Sequence, residues 1–213
     1  MSESAPIAGP IWTATLTGPV DLRAPDPARI NARAIAHGLS GINRWTHSTE
    51  LPVSVAQHSE MVFEIFKRVF PRHRPRAVYA LLHDAHEYVL TDFVSPVQRL
   101  LACDLPELDG RVSYWKARWD TAIRQALGVP EPDPARDAEL LAAVHAADMI
   151  TADFEWRLWM PAANGPSPFA ELARQYPPHH YRVGRSARPE EAAIRFRDLL
   201  ARELAERQWE IAA

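Results

Sequence analysis

The segment from Ala80 to Asp92 constrains this chain most, because it places titratable side chains within an apolar run of helical character. If the run is one helix, His83 and Glu87, four residues apart, lie on one face with Asp84 beside them. Charged groups on a buried face cost free energy unless a partner compensates them. We therefore expect a metal ion as the partner, with further ligands supplied by other parts of the chain.

Length and composition favour a single domain, residues 1–213, in a reducing cytoplasmic setting. The lone cysteine, Cys103, excludes an intrachain disulfide framework and a cysteine-based zinc site. We expect no membrane segment, because no apolar run reaches the roughly 18 residues that a membrane-spanning helix needs. The net charge of −3 argues against binding to a nucleic-acid polymer, since such surfaces are usually basic.

The spacing of apolar residues predicts an all-α helical bundle with at most a short N-terminal β-hairpin. One helix is expected to begin at Asp26-Pro27 and to end within Gly38–Gly41, and another to run without interruption from Pro75 through the Ala80–Asp92 segment. Further helices are expected to begin near five other positions: Ser54, Ser95, Asp109, Ala135 and Pro189. Residues 1–10 are expected to be disordered, and the proline-rich residues 161–188 to form a loop or lid.

Two other predicted helices carry metal-type ligands on faces that should be buried. His58 lies on the apolar face of the helix after Ser54, and Asp148 lies on the helix that begins near Ala135. A single histidine on such a face is usually a core residue, but these join His83 and Asp84. Two imidazoles and two carboxylates compensate a divalent cation, and this mixed donor set suits Mn, Fe, Co, Ni or Zn better than Ca.

The order H…HD…D resembles the HD superfamily of metal-dependent phosphohydrolases. Three segments look like its 5′-deoxynucleotidase branch, which has phage and bacterial members. They are Arg44-Trp45 before the SVAQHS of residues 54–59, HDAHE followed by TDFVSPV in residues 83–97, and AADMITADFE in residues 146–155. The likeness covers about residues 12–160. An HD doublet alone is a weak signal, whereas four ordered ligands with Glu87 and Asp92 at matching spacing are specific.

The resemblance implies a role for each matched position. Four residues would bind one divalent transition metal: His58, His83, Asp84 and Asp148. Glu87 and Asp92 would position or activate the attacking water, Arg44 would hold a phosphate, Trp45 would pack on the sugar, and His47 would lie near the pocket. The substrate would be a nucleoside 5′-phosphate, cleaved as by a 5′-nucleotidase, and the protein would be a homodimer.

Several alternatives stay open at this level. A triphosphohydrolase would release triphosphate from a deoxynucleoside triphosphate, and a non-catalytic module would only bind nucleotides. A dinuclear phosphodiesterase or oxygenase needs more histidines between the HD doublet and the last aspartate. His86 and His145 are the histidines found there, at unusual spacing, and His86 keeps a second metal open.

Simpler structural roles also compete with some assignments. The four ligands could be buried hydrogen-bond pairs, Trp45 could be a core residue, and Arg44 could form a surface salt bridge. For Glu155 we expect solvent exposure or an arginine pairing close to Arg157. The adjacent His179 and His180 point in different directions on any regular backbone, which disfavours metal binding there.

Overall fold

An all-α architecture with one short N-terminal hairpin is seen in the computed structural model, which describes residues 9–176 and 186–206. Strand β1 (Trp12–Thr15) pairs antiparallel with β2 (Gly18–Asp21). The turn between them uses Gly18 at φ 126°, a conformation that glycine adopts without strain. The predicted fold class is therefore confirmed. The expected disorder of residues 1–10 falls, for residues 1–8, outside the described part of the chain.

Nine α-helices follow within the described residues. They are α1 (Ala32–Gly41), α2 (Val55–Val69), α3 (Val78–Leu81), α4 (Glu87–Leu90), α5 (Ser95–Asp104), α6 (Glu107–Leu127), α7 (Ala138–Trp159), α8 (Ala170–Ala173) and α9 (Pro189–Glu206). Local signals set several of these ends. Ser54 caps α2 by accepting from the backbone N–H of Gln57, and Gly128 ends α6 in the left-handed conformation. None of the described helices combines the length and apolar character needed to cross a membrane.

The predicted helix that begins at Asp26-Pro27 is two elements. A 3-10 turn, Pro27–Arg29, is capped by Asp26, and the chain then becomes extended at Ile30. Asn31 starts α1 by accepting a hydrogen bond from the backbone N–H of Ala34. A second side-chain cap within the expected helix thus divides it.

The predicted helix through Ala80–Asp92 is also interrupted. Helix α3 ends at Leu81, and residues 82–86 form turns before α4. These turns are held by backbone hydrogen bonds between residues three positions apart, including the bond from Glu87 N to Asp84 O at 3.0 Å. Within them His83 Nε2 lies 3.0 Å from Asp84 Oδ2. Adjacent side chains on a regular α-helix do not face each other, so this contact requires the departure from α geometry.

The core lies between α1, α2, α7 and α9, which pack on one another through apolar faces. Its largest fully buried side chains include Trp119, Phe63, Phe66 and Phe196. Trp119, on α6, is thus a core residue, whereas Tyr114, on the same helix, is 53% exposed. The inner faces of α2 and α7 meet in this packing, which brings His58 and Asp148 together.

The proline-rich segment 161–188 is described only as far as residue 176 and from residue 186. Its described part holds a 3-10 turn, Ala162–Asn164, and the short helix α8. His179 and His180 lie outside the described residues. A lid function for this segment stays a prediction.

Candidate metal centre

The four predicted metal ligands converge on one space from three parts of the chain. His58 comes from α2, His83 and Asp84 from the turns between α3 and α4, and Asp148 from α7. His58 Nε2 lies 3.0 Å from Asp148 Oδ1 and 3.3 Å from His83 Nε2. The remaining measured separations are 3.9 Å from His58 Nε2 to Asp84 Oδ2 and 3.8 Å from His83 Nε2 to Asp148 Oδ1.

These separations fit ligands around a single cation. Metal–ligand bonds of about 2.0–2.2 Å place neighbouring donor atoms about 2.8–3.6 Å apart in tetrahedral or octahedral sites, and opposite donors of an octahedral site about 4.0–4.4 Å apart. The separations of 3.0 and 3.3 Å therefore suit neighbouring ligands, and those of 3.8 and 3.9 Å lie between the two ranges. Ligand atoms of His58, His83 and Asp84 lie within 4.8 Å of one another, and Asp148 adjoins them through both imidazoles. Two nitrogen and two oxygen donors suit a divalent transition metal. The cluster can therefore hold a metal ion, whose identity stays open.

The hydrogen bonds of the two imidazoles orient them as metal ligands. His83 Nδ1 lies 2.9 Å from the Ala80 carbonyl oxygen, and His58 Nδ1 lies 2.8 Å from Glu155 Oε1. Both acceptors require an N–H on Nδ1, which leaves a lone pair on each Nε2 of the neutral rings. Two lone pairs and two carboxylates then face the same space, an arrangement that a cation stabilises.

The pKa values of His83 and Asp84 also indicate that this space favours positive charge. Burial by itself lowers the pKa of His83, but Asp84 and Asp148 outweigh it and raise the pKa to about 9. A positive charge at Nε2 is therefore favoured at neutral pH, whether a proton or a metal ion supplies it. Burial raises the pKa of Asp84, yet His83, His58 and Arg44 hold it well below its usual range. The carboxylates thus stay ionised and draw cationic partners toward them.

Glu155 pairs with an arginine, as one of the two expectations had it, but the arginine is Arg44 and the expected solvent exposure is wrong. It is 0% exposed, and its carboxylate joins three side chains from elsewhere in the chain. Oε2 accepts hydrogen bonds from Arg44 Nε and Trp45 Nε1, both at 3.0 Å, and Oε1 accepts from His58 Nδ1. Glu155 therefore supports a metal ligand and holds two predicted substrate contacts at once.

A sequence signal for this role existed in the spacing of α7. Glu155 follows Asp148 by seven residues, two helical turns along the same face. Arg157, the arginine expected nearby, instead forms an ion pair of 2.7 Å with Asp153. Because Arg157 is exposed, it lies on the opposite side of the helix from the site.

Arg44, Trp45 and His47 lie on a strained 3-10 turn, Arg44–His47. Trp45, Thr46 and His47 have φ angles of 57°, 50° and 62°, which cost about 1–2 kcal/mol each for residues with a side chain. The turn is anchored by the backbone bond from Arg44 N to Val53 O at 2.8 Å. A strained backbone persists only where surrounding contacts hold it, so the side chains of this turn are held in defined positions.

The three side chains of this turn differ in surroundings. Trp45 is half-buried, with its ring centroid 5.5 Å from that of Trp156 and 5.9 Å from that of Phe169. Arg44 lies inside the site, its Nη1 3.7 Å from Asp84 Oδ2, and among the described residues its side chain hydrogen-bonds to Glu155 alone. His47 is exposed. Arg44 thus keeps donors for a ligand, and Trp45 belongs to an aromatic cluster.

Glu87 and Asp92 border the same centre. Glu87 is 5% exposed, and its Oε2 has no hydrogen-bond partner within residues 9–176 and 186–206. Burial, with Asp84 and Asp92 adding to it, raises the pKa of Glu87 to about 9. Burial also raises the pKa of the half-buried Asp92. Both acids therefore lie within the electrostatic reach of Asp84, as the predicted roles require.

Comparison with known proteins gives a relative but no activity. No family model matches the chain. A protein of Rhodobacter capsulatus, described only as uncharacterized, is 37% identical over 148 residues, which make up 68% of this chain and 70% of that protein.

Proposed function

This chain belongs to the same family as the Rhodobacter capsulatus protein, and we propose that it is a metal-dependent phosphohydrolase of the HD type acting on nucleoside 5′-phosphates. The observation that supports this most is the set of lone pairs and carboxylates from His58, His83, Asp84 and Asp148 around one space. We propose the 5′-nucleotidase reaction on a deoxynucleoside monophosphate, with water attacking phosphorus and the bond to the 5′ oxygen breaking.

His58, His83, Asp84 and Asp148 would hold a divalent metal ion, which would supply the Lewis-acid chemistry that makes water nucleophilic at neutral pH. The chain's own groups then handle phosphate and protons. Arg44 stays charged, because Glu155, Asp148 and Asp84 outweigh the effect of burial and raise its pKa. Its planar guanidinium is well shaped to hold the phosphate oxygens.

Glu87 and Asp92 are proposed to exchange protons with the reacting oxygens. Glu87 Oε2, which is buried and has no hydrogen-bond partner among the described residues, is proposed to contact water or the 5′ oxygen. The proton lost by water and the proton gained by the leaving nucleoside oxygen balance in one turnover. Trp45, held by Glu155, is proposed to limit the space beside the sugar, and the exposed His47 to lie at its rim.

We also propose, from the sequence, that the protein is cytoplasmic and forms a homodimer. A reducing cytoplasm suits Cys103, which is exposed and forms no disulfide. The homodimer rests on the resemblance. Neither point affects the chemistry assigned to the metal centre.

The test is an assay of metal-free protein supplied separately with Mn, Co, Fe, Zn or Ni. A panel of nucleoside mono- and triphosphates is incubated, and phosphate, triphosphate and nucleoside are separated by chromatography. We expect phosphate and nucleoside from a deoxynucleoside monophosphate, with loss of activity on chelation. Release of triphosphate alone would support the triphosphohydrolase alternative, and no cleavage of any nucleotide would refute the proposal.

Asp148→Asn provides the variant that connects activity with the centre. It removes a charged ligand, so metal content and turnover should fall together. Asp198→Asn, the same change at an exposed position of α9, is the matched control and should behave like the unmodified protein. Full turnover in Asp148→Asn would remove the basis for the assigned metal centre.

A further inference from the structure

A second cluster of ligand atoms adjoins the first centre. One ligand atom each from Asp84, His86 and Glu87 lies within 4.8 Å of the other two. His86 and Glu87 are buried, at 4% and 5% exposure. Asp84 belongs to both clusters, so they share one carboxylate.

Two buried atoms of this cluster have no hydrogen-bond partner among residues 9–176 and 186–206. These atoms are His86 Nε2 and Glu87 Oε2. Each such atom costs about 1–3 kcal/mol if nothing compensates it. Unpartnered buried polar atoms are few in native proteins and indicate a water molecule, an ion or a functional role.

Asp120 on α6 explains how His86 is oriented. His86 Nδ1 lies 2.9 Å from Asp120 Oδ1, so the ring donates its Nδ1–H to this carboxylate. In the neutral ring a lone pair then remains on Nε2. A metal-binding histidine usually donates its other N–H to a carboxylate in this way. A structural hydrogen bond would account for Nδ1 but leaves the buried Nε2 unexplained.

The charges around the cluster favour a cation. The cluster contains two carboxylates, those of Asp84 and Glu87, and one imidazole, that of His86. His145, the other histidine between the HD doublet and Asp148, is exposed and does not take part. His86 is therefore the histidine that could serve a second ion.

We infer that Asp84, His86 and Glu87 form a second divalent-cation site that shares Asp84 with the first, and that Asp120 positions His86 for it. This inference rests on the metal centre of the proposed function but not on the substrate. The nitrogen and oxygen donors suit Mn, Fe, Co or Zn. Two ions joined through a carboxylate are a recurrent arrangement in enzymes that cleave phosphate esters.

The test measures metal stoichiometry rather than activity. Metal-free full-length protein is dialysed against excess Mn²⁺, and bound manganese per chain is measured by mass spectrometry with an electron paramagnetic resonance spectrum. We expect two ions with the signal of a coupled pair. His86→Gln should bind one ion and lose the coupling, whereas His37→Gln, at an exposed position of α1, should still bind two.

Asp120→Asn keeps the test valid if His86→Gln does not fold. This variant should lower the affinity for the second ion by about 10–100-fold, because the carboxylate that orients a metal-binding histidine is lost, while the first ion stays bound. One ion in the unmodified protein, or two in His86→Gln, would overturn the second site and leave the first centre standing. No bound manganese, cobalt or zinc in the unmodified protein would overturn both proposals together.

Discussion

Replacing Gly38 by alanine tests how closely α1 approaches Tyr88 in α4. A Cβ at this position would lie 2.8 Å from Tyr88 Cβ, 3.0 Å from Tyr88 O and 3.1 Å from Tyr88 Cα. None of these atoms can be moved by a change of side-chain rotamer, since two are backbone and the third is attached to it. Tyr88 directly follows Glu87, so a shift of α4 also displaces that carboxylate.

The expected cost follows from the overlap. Carbon atoms prefer separations of about 3.5–4.0 Å, so α1 and α4 must move apart by several tenths of an ångström or more. Overpacking of this kind costs about 1–3 kcal/mol, and the higher helix propensity of alanine returns up to about 1 kcal/mol. Gly110→Ala in α6 is the control, because a Cβ there meets nothing within 4 Å. It should stabilise the protein by about 0.5–1 kcal/mol.

Urea unfolding of the metal-free proteins measures this difference. We expect Gly38→Ala to be less stable than Gly110→Ala by roughly 2 kcal/mol, or about 4–8 °C in Tm for a chain of this size. Gly38→Ala should also lower the rate of nucleotide cleavage through Glu87, and Gly110→Ala should not. Equal or greater stability of Gly38→Ala would refute the close approach between the two helices.

Two further perturbations test charges in the core. The hydrogen bond from Arg76, 2.7 Å long, holds the pKa of Asp137 well below its usual range. Its stabilising contribution is present above about pH 4 and is lost as the pH falls further, so Asp137→Asn should flatten the acid loss of stability in unfolding curves. An unchanged acid slope would contradict this. Glu155→Gln leaves the charge of Arg44 without its buried partner and should destabilise the fold by about 3–5 kcal/mol. It should also weaken metal binding through His58 by about 10–100-fold, measured by calorimetry, and undiminished affinity would show that Glu155 does not support that ligand.

Local sequence signals predicted most of the helices. Ser54, Gly128 and Pro189 mark the ends of α2, α6 and α9 through capping, left-handed geometry and fixed φ. The all-α class and the buried stripe of α9, with Phe196 at its centre, follow from the same periodicity. These features depend on neighbours within a few residues, which a single sequence contains.

The structure differs from the sequence-based predictions where contacts between distant residues override local conformational preference. Residues 82–86 form turns instead of a regular helix, and the adjacent ligands His83 and Asp84 face one point there. Helix propensities of single residues do not predict such an arrangement. The left-handed turn at Trp45 and Thr46 uses residues that do not favour it and is fixed by surrounding structure. Glu155 lies on the predicted face of α7, but its partners come from about a hundred positions earlier in the chain. Convergence of the four ligands was expected from their order, whereas this supporting network was not.

The hydrogen bonds of the Glu155 carboxylate predict which positions should covary among relatives of this protein. Its partners His58, Trp45 and Arg44 lie 97, 110 and 111 positions away in sequence. A change at any one of them leaves a buried donor, acceptor or charge unmatched, so single substitutions are disfavoured and compensated sets are tolerated. Across relatives such as the Rhodobacter capsulatus protein, these four positions should therefore covary as one group, more strongly than exposed positions at the same sequence distance.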